Sequence, residues 1–327
     1  MSATRQHLPA PLTPPLTAVN ALDASPAAAE YVRRSRSDAT RTAYRIHWRA
    51  FMAWTEQHGR PAMPADPRTV ADFAAELAQA GAKLSTIRLK LAAVSNAHRA
   101  AGAPNPVTTE LVRKTVQGIA RTHGSARAKK AALSLGELKA MSACLGDDAR
   151  GRRDRAILTL GFSGAFRRAE LCALDVSDLR FTQGELIVTV RRSKTDQEGQ
   201  GFSKRIPAAA DPKVDPVKAA RDWLELAGIA AGAVFRPVTK AGDVSPSRLK
   251  PRNVALIVKS AADRIGIPPA QFAGHSLRSG FITEAARRDV PEYAIMAVSG
   301  HRSSAIMRGY IHDAGNAQAR AIRAVMG

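Results

Sequence analysis

From Asp38 to Arg121 the apolar residues return at helical intervals. Tyr44, Trp48, Phe51 and Met52 fall at i, i+4, i+7 and i+8, which is one face of a helix. After the proline-rich break "RPAMPADP", Val70, Phe73 and Leu77 repeat the pattern. Ile87, Leu91, Val94 and His98 make a third face, and Leu111, Thr115 and Ile119 a fourth. The pattern predicts a domain of four helices within residues 29–121. His47 and His98 lie on these helical patterns and read as structural. Residues 1–28 are rich in Pro, Ala and Thr, show neither period, and read as a disordered tail. "RTHGSARAKKAAL" is basic and short of large apolar residues, so residues 122–132 read as a linker.

A second domain is predicted over 133–327. It opens on Ser134 and Glu137, which have the spacing of a capping box ahead of Leu138, Met141 and Leu145. "DRAILTLGFSG" predicts another helix. "GELIVTVRR" has the β-branched residues and apolar alternation of a strand, and "FSKRIPA" can pair back across the polar turn "TDQEGQG". Helices resume at "DPVKAARDWLELAG", with Asp215 as cap and Pro216 in the first turn. "PRNVALIVKSAADRIG", "LRSGFITEAARR" and a short amphipathic tail at about 316–327 complete the pattern. The fold class expected is mainly α with a small antiparallel β-sheet.

Charge adds a partner to this outline. Lys and Arg number 49 against 28 Asp and Glu, a formal net charge of +21. Such an excess points to a polyanion. Residues 1–132 hold 19 basic against 8 acidic residues, and 133–327 hold 30 against 20. Two basic halves suit a protein that grips nucleic acid from two sides. No acidic residue lies between Glu76 and Glu110, where Lys83, Arg88, Lys90 and Arg99 occur. Arg41, Arg45, Lys83, Arg88, Lys90 and Arg121 are the candidate DNA contacts. The charge is not gathered on one amphipathic helix, which argues against a membrane surface. No apolar run approaches the ~18–20 residues of a bilayer span. Cys144 and Cys172 offer neither a disulfide framework nor zinc spacing. With no secretory pattern at the N-terminus, a cytoplasmic protein of bacterial or phage type is expected.

The sequence lacks a phosphate-cradling glycine loop, a dinucleotide fingerprint, an H-E-x-x-H pair and a carboxylate cluster for two metals. An enzyme of nucleic acid built this way is expected to use no NTP, metal or other cofactor. Cutting a phosphodiester then requires a side-chain nucleophile, fixed cations for the developing charge, and an acid for the leaving oxygen. Arginine suits the cation role because its planar fork binds two phosphate oxygens. "SGAFRRAELCAL" places Arg167 after a Gly-Ala break with Glu170 three residues on. "AGHSLRSG" sets His275 and Arg278 three apart, on one helical face. "RRSKTDQ" puts Lys194 where the strand leaves for its turn, with Lys204 on the return strand as an alternative. "SGHRSSAIMRGY" supplies His301 and, nine residues later, Tyr310.

These spacings resemble the tyrosine recombinase (phage integrase) family, in a layout of the Cre/Xer type. The family carries an Arg in G-x-x-R-x-x-E-[LI], a Lys in a β-hairpin, H-x-x-R, a His or Trp, and a Tyr nine residues on. Arg167 with Glu170, Lys194, His275 with Arg278, His301 and Tyr310 match in the same order. The R-x-x-E count selects Arg167 over its neighbour Arg168. The resemblance covers about residues 30–327 and implies a SAM-like core-binding domain followed by a tyrosine-recombinase catalytic domain. No arm-binding domain of the lambda type is expected, because only about 30 residues precede the helices.

The resemblance further implies a mechanism. Arg167, Arg278 and His301 hold the scissile phosphate, His275 takes the proton of Tyr310, and Lys194 protonates the 5′-oxygen. Glu170 braces the site. The implied partners are double-stranded DNA at two recombination sites and three further copies of the chain in a homotetramer, with the C-terminal tail exchanged between protomers. The implied activity is integration, excision or resolution of DNA. The alternatives are strand relaxation of the type IB topoisomerase kind, and a non-catalytic DNA-binding module on the same fold. Tyr293 and Cys172 read as packing residues, and His312 as a surface residue.

Overall fold

The structure is a computed structural model. It describes residues 25–124, 130–191, 201–301, 303–304, 309, 322 and 325–326. The chain forms two compact units, residues 1–128 and 129–327.

The first unit is helical. Helix α1 spans Pro26–Arg34, α2 Asp38–Gln57, α3 Pro67–Gln79, α4 Leu84–Ala100 and α5 Glu110–His123. Ser37 caps α2 through the Thr40 amide, and Asp66 caps α3 ahead of Pro67. Trp48, Phe51, Phe73, Ile87, Leu91 and Val94 form the core, as their periods predict. His98 is buried: its Nδ1 lies 2.9 Å from the Val94 carbonyl, and Nε2 accepts from the Ala65 amide at 2.9 Å. Those two bonds fix a neutral tautomer with the proton on Nδ1.

Two expectations differ here. The tail read as disordered through residue 28 already turns helical at Pro26. Ser25 accepts from the Ala28 amide, and a Pro-Ala-Ala-Ala run follows. Composition hid a helix start that the cap and proline mark. In α5 the buried stripe is Val112 and Ile119 with partly buried Val116, while Leu111 is exposed. Both stripes share Ile119, and spacing alone does not choose between them.

The second unit begins with α6 (Leu135–Ala143), whose capping box between Ser134 and Glu137 is present on both sides. Helices α7 (Ala149–Ser163) and α8 (Arg168–Ala173) follow. The sheet comprises β1 (Leu179–Phe181), β2 (Glu185–Val190) and β3 (Phe202–Pro207), all antiparallel in that order. Strand β1 has only three residues, too short to display alternation, so the expected hairpin has a third strand. Helices α9 (Pro216–Leu226), α10 (Pro251–Arg264), α11 (Ser276–Arg287) and α12 (Glu292–Ser299) complete the described elements. Lys130 and Ala131, inside the segment read as a linker, bond to the carbonyls of Ala270 and Gln271 in this unit.

Helix α7 runs through the core, burying Ile157, Leu158 and Leu160. Its Gly161 lies against Leu277 of α11, where a Cβ would come within 2.8 Å of Leu277 Cδ1. Gly280 of α11 meets the start of the unit, and a Cβ there would stand 2.2 Å from the Leu133 carbonyl oxygen. After α7 the chain reverses through Ala165, which has a left-handed φ of 47°. A side chain in that region costs about 1–2 kcal/mol.

These two positions predict different outcomes. Ala165→Gly relieves about 1–2 kcal/mol of strain but loses roughly 0.4–1 kcal/mol to unfolded-state entropy and about 0.8 kcal/mol with its buried methyl, so its stability stays close to wild type. Gly280→Ala lowers stability by about 1–3 kcal/mol, as overpacking against backbone does. Urea unfolding midpoints of the two variants check both outcomes.

Candidate active site

The site is built around the end of α7. Gly164 is required there because a Cβ would lie 2.2 Å from the Phe166 ring. The turn through Ala165 delivers Arg167 to the N-cap position of α8. Glu170, one turn into α8, reaches back to it. Its Oε2 accepts from the Arg167 amide at 3.0 Å, and its Oε1 accepts from Arg167 Nη1 at 2.5 Å. Glu170 is buried, so the charge-assisted bond is sheltered from water.

Helix α11 supplies the second arginine. Arg278 is 0% exposed, and its Nη1 donates to the Ala165 carbonyl at 2.8 Å. Its Nη2 lies 3.2 Å from His301 Nε2. His301 follows Gly300, whose φ of 67° ends α12 in a left-handed cap. Buried Ser299 places its hydroxyl 2.8 Å from His301 Nδ1. His275 stands at the N-cap of α11, one turn from Arg278.

Lys204 enters from β3, where it pairs with Val188. Its ammonium donates to the carbonyls of Gly164 at 2.5 Å and Val298 at 2.6 Å. It also lies over the Phe166 ring at 4.6 Å.

The electrostatics are those of crowded cations. Burial lowers His301 to about 4, helped by Arg278, Arg167, His275 and Lys204. His275 stands at an exposed rim, yet desolvation, then Arg278, Arg167 and Arg168, hold it below its ordinary value. Both imidazoles are therefore neutral near pH 7 and can accept a proton. Burial brings Lys204 down to about 7, with Glu170 pulling upward and Arg278 and Arg167 pushing down.

The structure thus gathers Arg167, Glu170, His275, Arg278 and His301 from one sequence list into one place. Lys194 and Tyr310 lie outside the described residues, as do Arg302, Arg308 and His312. Arg168 stays exposed and crosses Gly274, where a Cβ would collide with its chain at 1.9 Å. Arg191 is the last described residue before the segment that carries Lys194. It donates to Asp178 at 2.6 Å and Asp175 at 2.7 Å, and Arg248 holds Asp175 from the other side. These ion pairs fix the base of the β2–β3 hairpin. Cys172 is buried, and that burial pushes its thiol up to about 12. Tyr293, read as packing, is instead 77% exposed, because it faces away from buried Ile295 on a short helix.

Sequence reasoning missed two contributors, Ala165 and Ser299, and the burial of Lys204. Ala165 gave no signal because alanine is not a turn residue. Ser299 was hidden in the "VSGH" run. Lys204 had been an alternative to Lys194 only because it lies nearby in the chain, and nothing in the sequence announced its burial.

In the first unit, Arg45, Lys83, Arg88 and Arg121 are exposed. Arg41 pairs with Asp38, and the Lys90 ammonium lies 5.5 Å over the Phe73 ring. Arg88, Arg99, Arg113 and Lys114 border a cleft of about 520 Å³ between α4 and α5. No group of His, Cys, Asp and Glu among the described residues could hold a metal ion. No described helix is long and apolar enough to cross a membrane.

Comparison with known proteins identifies the family. Residues 133–316 match the phage integrase family, and residues 30–103 match the phage integrase N-terminal SAM-like domain. An integrase/recombinase xerD homolog of Selenomonas ruminantium is 36% identical over 287 residues, covering 86% of this chain and 84% of that protein. The recombinase cre of Escherichia phage P1 is 26% identical over 284 residues, covering 81% of each. Among solved structures, the XerH site-specific recombinase in a post-cleavage complex with its difH substrate has a TM-score of 0.67 at 14% identity. The match covers 90% of this chain and 82% of that one. A lambda integrase dimer on a core site has a TM-score of 0.59 at 19% identity, covering 88% and 93%. At those identities the structures establish the fold, and the sequence matches establish the family. The chain belongs to the phage integrase family and is a tyrosine-type site-specific recombinase.

Proposed function

We propose that the chain binds duplex DNA and cuts and rejoins it through a 3′-phosphotyrosyl intermediate, using no metal or ATP. The observation that carries this reading is the convergence of Arg167, Arg278, His275 and His301 in one corner of the catalytic unit. Two guanidiniums offer forked donors to the non-bridging oxygens of a phosphate. His301 in its neutral form adds one N–H. The Tyr310 oxygen attacks phosphorus as its proton passes to His275, whose lowered pKa keeps it unprotonated near pH 7. The bond to the 5′-oxygen breaks, and Lys194 supplies the proton to that oxygen. A 5′-hydroxyl from the partner duplex then attacks the phosphotyrosine and releases Tyr310. The phosphodiester energy is retained throughout.

Arg41, Arg45, Lys83, Arg88, Lys90 and Arg121 contact the DNA backbone from the first unit. Such contacts position the protein and carry no sequence information. Strand exchange takes four copies around two duplexes, and the tail at about 316–327 docks on a neighbouring copy. The relatives' names, which are those of recombinases, support this reading.

Three outcomes are expected. Wild-type protein forms a covalent adduct with a nicked suicide substrate, and Tyr310→Phe forms none; equal behaviour of the two overturns the mechanism. A chain ending at Asn316 binds a single site but fails to assemble tetramers on DNA, as native gels would read. His301 titrates at about 4 in the free protein, below its ordinary 6.5. The unfolded chain therefore binds its proton first, and stability falls as pH drops from 6.5 toward 4. A bound phosphate reverses the shift, so DNA raises the His301 value in histidine-detected NMR titrations.

A further inference from the structure

Lys204 is 4% exposed and sits where the guanidiniums of Arg167 and Arg278 already crowd. Its contacts explain why the fold keeps it. Gly164 is the C-cap of α7, and Val298 lies in the last turn of α12. Carbonyls at helix C-termini have no partner within the helix, and both helix ends carry partial negative charge. The Lys204 ammonium meets one carbonyl from each, at 2.5 and 2.6 Å. Arg167 follows Gly164 by three residues, and His301 follows Val298 by three. A single side chain thus joins the two turns that present a phosphate ligand each.

We propose that Lys204 is a positioning residue: its ammonium ties the Gly164 turn to the Val298 turn and so sets the separation of Arg167 from His301. This rests on the phosphotyrosyl reading above. It also assigns the two lysines different work. Two of the three N–H bonds of Lys204 are spent on protein carbonyls, and its head is closed to solvent. It is not the donor to a leaving oxygen on DNA. Phe166 and Phe202, at 4.6 and 5.5 Å from the ammonium, complete its enclosure. Buried Glu170 compensates part of its charge and also holds Arg167, so the tie and the arginine brace share one carboxylate.

The test uses the full chain and two nicked suicide substrates. One has the ordinary phosphodiester, and the other has sulfur in place of the bridging 5′-oxygen. A thiolate leaves without a general acid, so sulfur restores cleavage only where the acid was lost. Lys204→Met is expected to slow adduct formation on both substrates by about 10²-fold, the effect of misplaced catalytic groups. Its DNA affinity stays within about threefold of wild type, because phosphate contacts elsewhere supply the binding. Lys194→Ala is expected to be slow on oxygen and restored on sulfur. A residue serving stability alone would lower the melting temperature and leave the rate per folded molecule unchanged, which overturns the proposal. So does restoration of Lys204→Met by sulfur, which would make Lys204 the acid. If Lys204→Met does not fold, Lys204→Gln carries the test. Its amide keeps two N–H donors, so a rate between those of wild type and a tenfold-or-greater loss, unrestored by sulfur, is expected. Wild-type protein that forms no adduct on either substrate refutes the phosphotyrosyl reading itself, whatever the lysine variants do.

Discussion

The carbonyl end of helix α7 is the constraint on which the catalytic unit depends. The chain turns at Gly164 and at Ala165, the latter in a left-handed conformation, and their two consecutive carbonyls face Lys204 and Arg278. A helix end concentrates partial negative charge, and here two buried cations answer it. The turn in turn fixes Arg167, because only two residues separate it from Gly164. Arg278 is bound to the same turn from α11, so the two arginines share one backbone anchor. Without the Gly164 turn, neither guanidinium would have a defined position relative to the other. The close approach of α11 depends on Gly161 and Gly280, which let Leu277 and the Leu133 carbonyl reach the backbone.

How much of this could be read in the chain follows from the range of each signal. The helices of the first unit were legible because Trp48, Phe51, Phe73, Ile87 and Leu91 repeat at 3.6-residue intervals, and burial follows that period. The cap and proline at Ser25–Pro26 were present in the sequence but outweighed by composition. Strand β1 was too short to show a period, and α5 carried two stripes that differ by one residue in phase. In the site, Arg167 with Glu170 and His275 with Arg278 were legible because each pair lies within one helical turn. The tie at Lys204 was not. It joins β3 to two helix ends at separations of 40 and 94 residues, and no local pattern encodes a contact of that range. Strain at Ala165 was illegible for a related reason: the surrounding packing, rather than the residue type, imposes the conformation.

The same contacts explain why the site is electrically incomplete. Arg167 and Arg278 stand against one buried carboxylate, Glu170, and beside them burial brings Lys204 down to about 7. Burial first, and the neighbouring cations second, hold both histidines below their ordinary value. Burying unmatched charge costs stability in the free protein, and only a requirement elsewhere keeps such an arrangement. On the proposed reading, a phosphate supplies the missing negative charge at the point where donors converge. Its arrival shifts the balance twice: it satisfies the guanidiniums, and it makes protonation of the imidazoles favourable again. The second effect matters for chemistry, because a base that is neutral before attack gains its proton most readily when an anion stands beside it. On the proposed reading, the surplus of positive charge and the proton acceptance that follows phosphate binding are consequences of one arrangement, set by the geometry of the α7 turn.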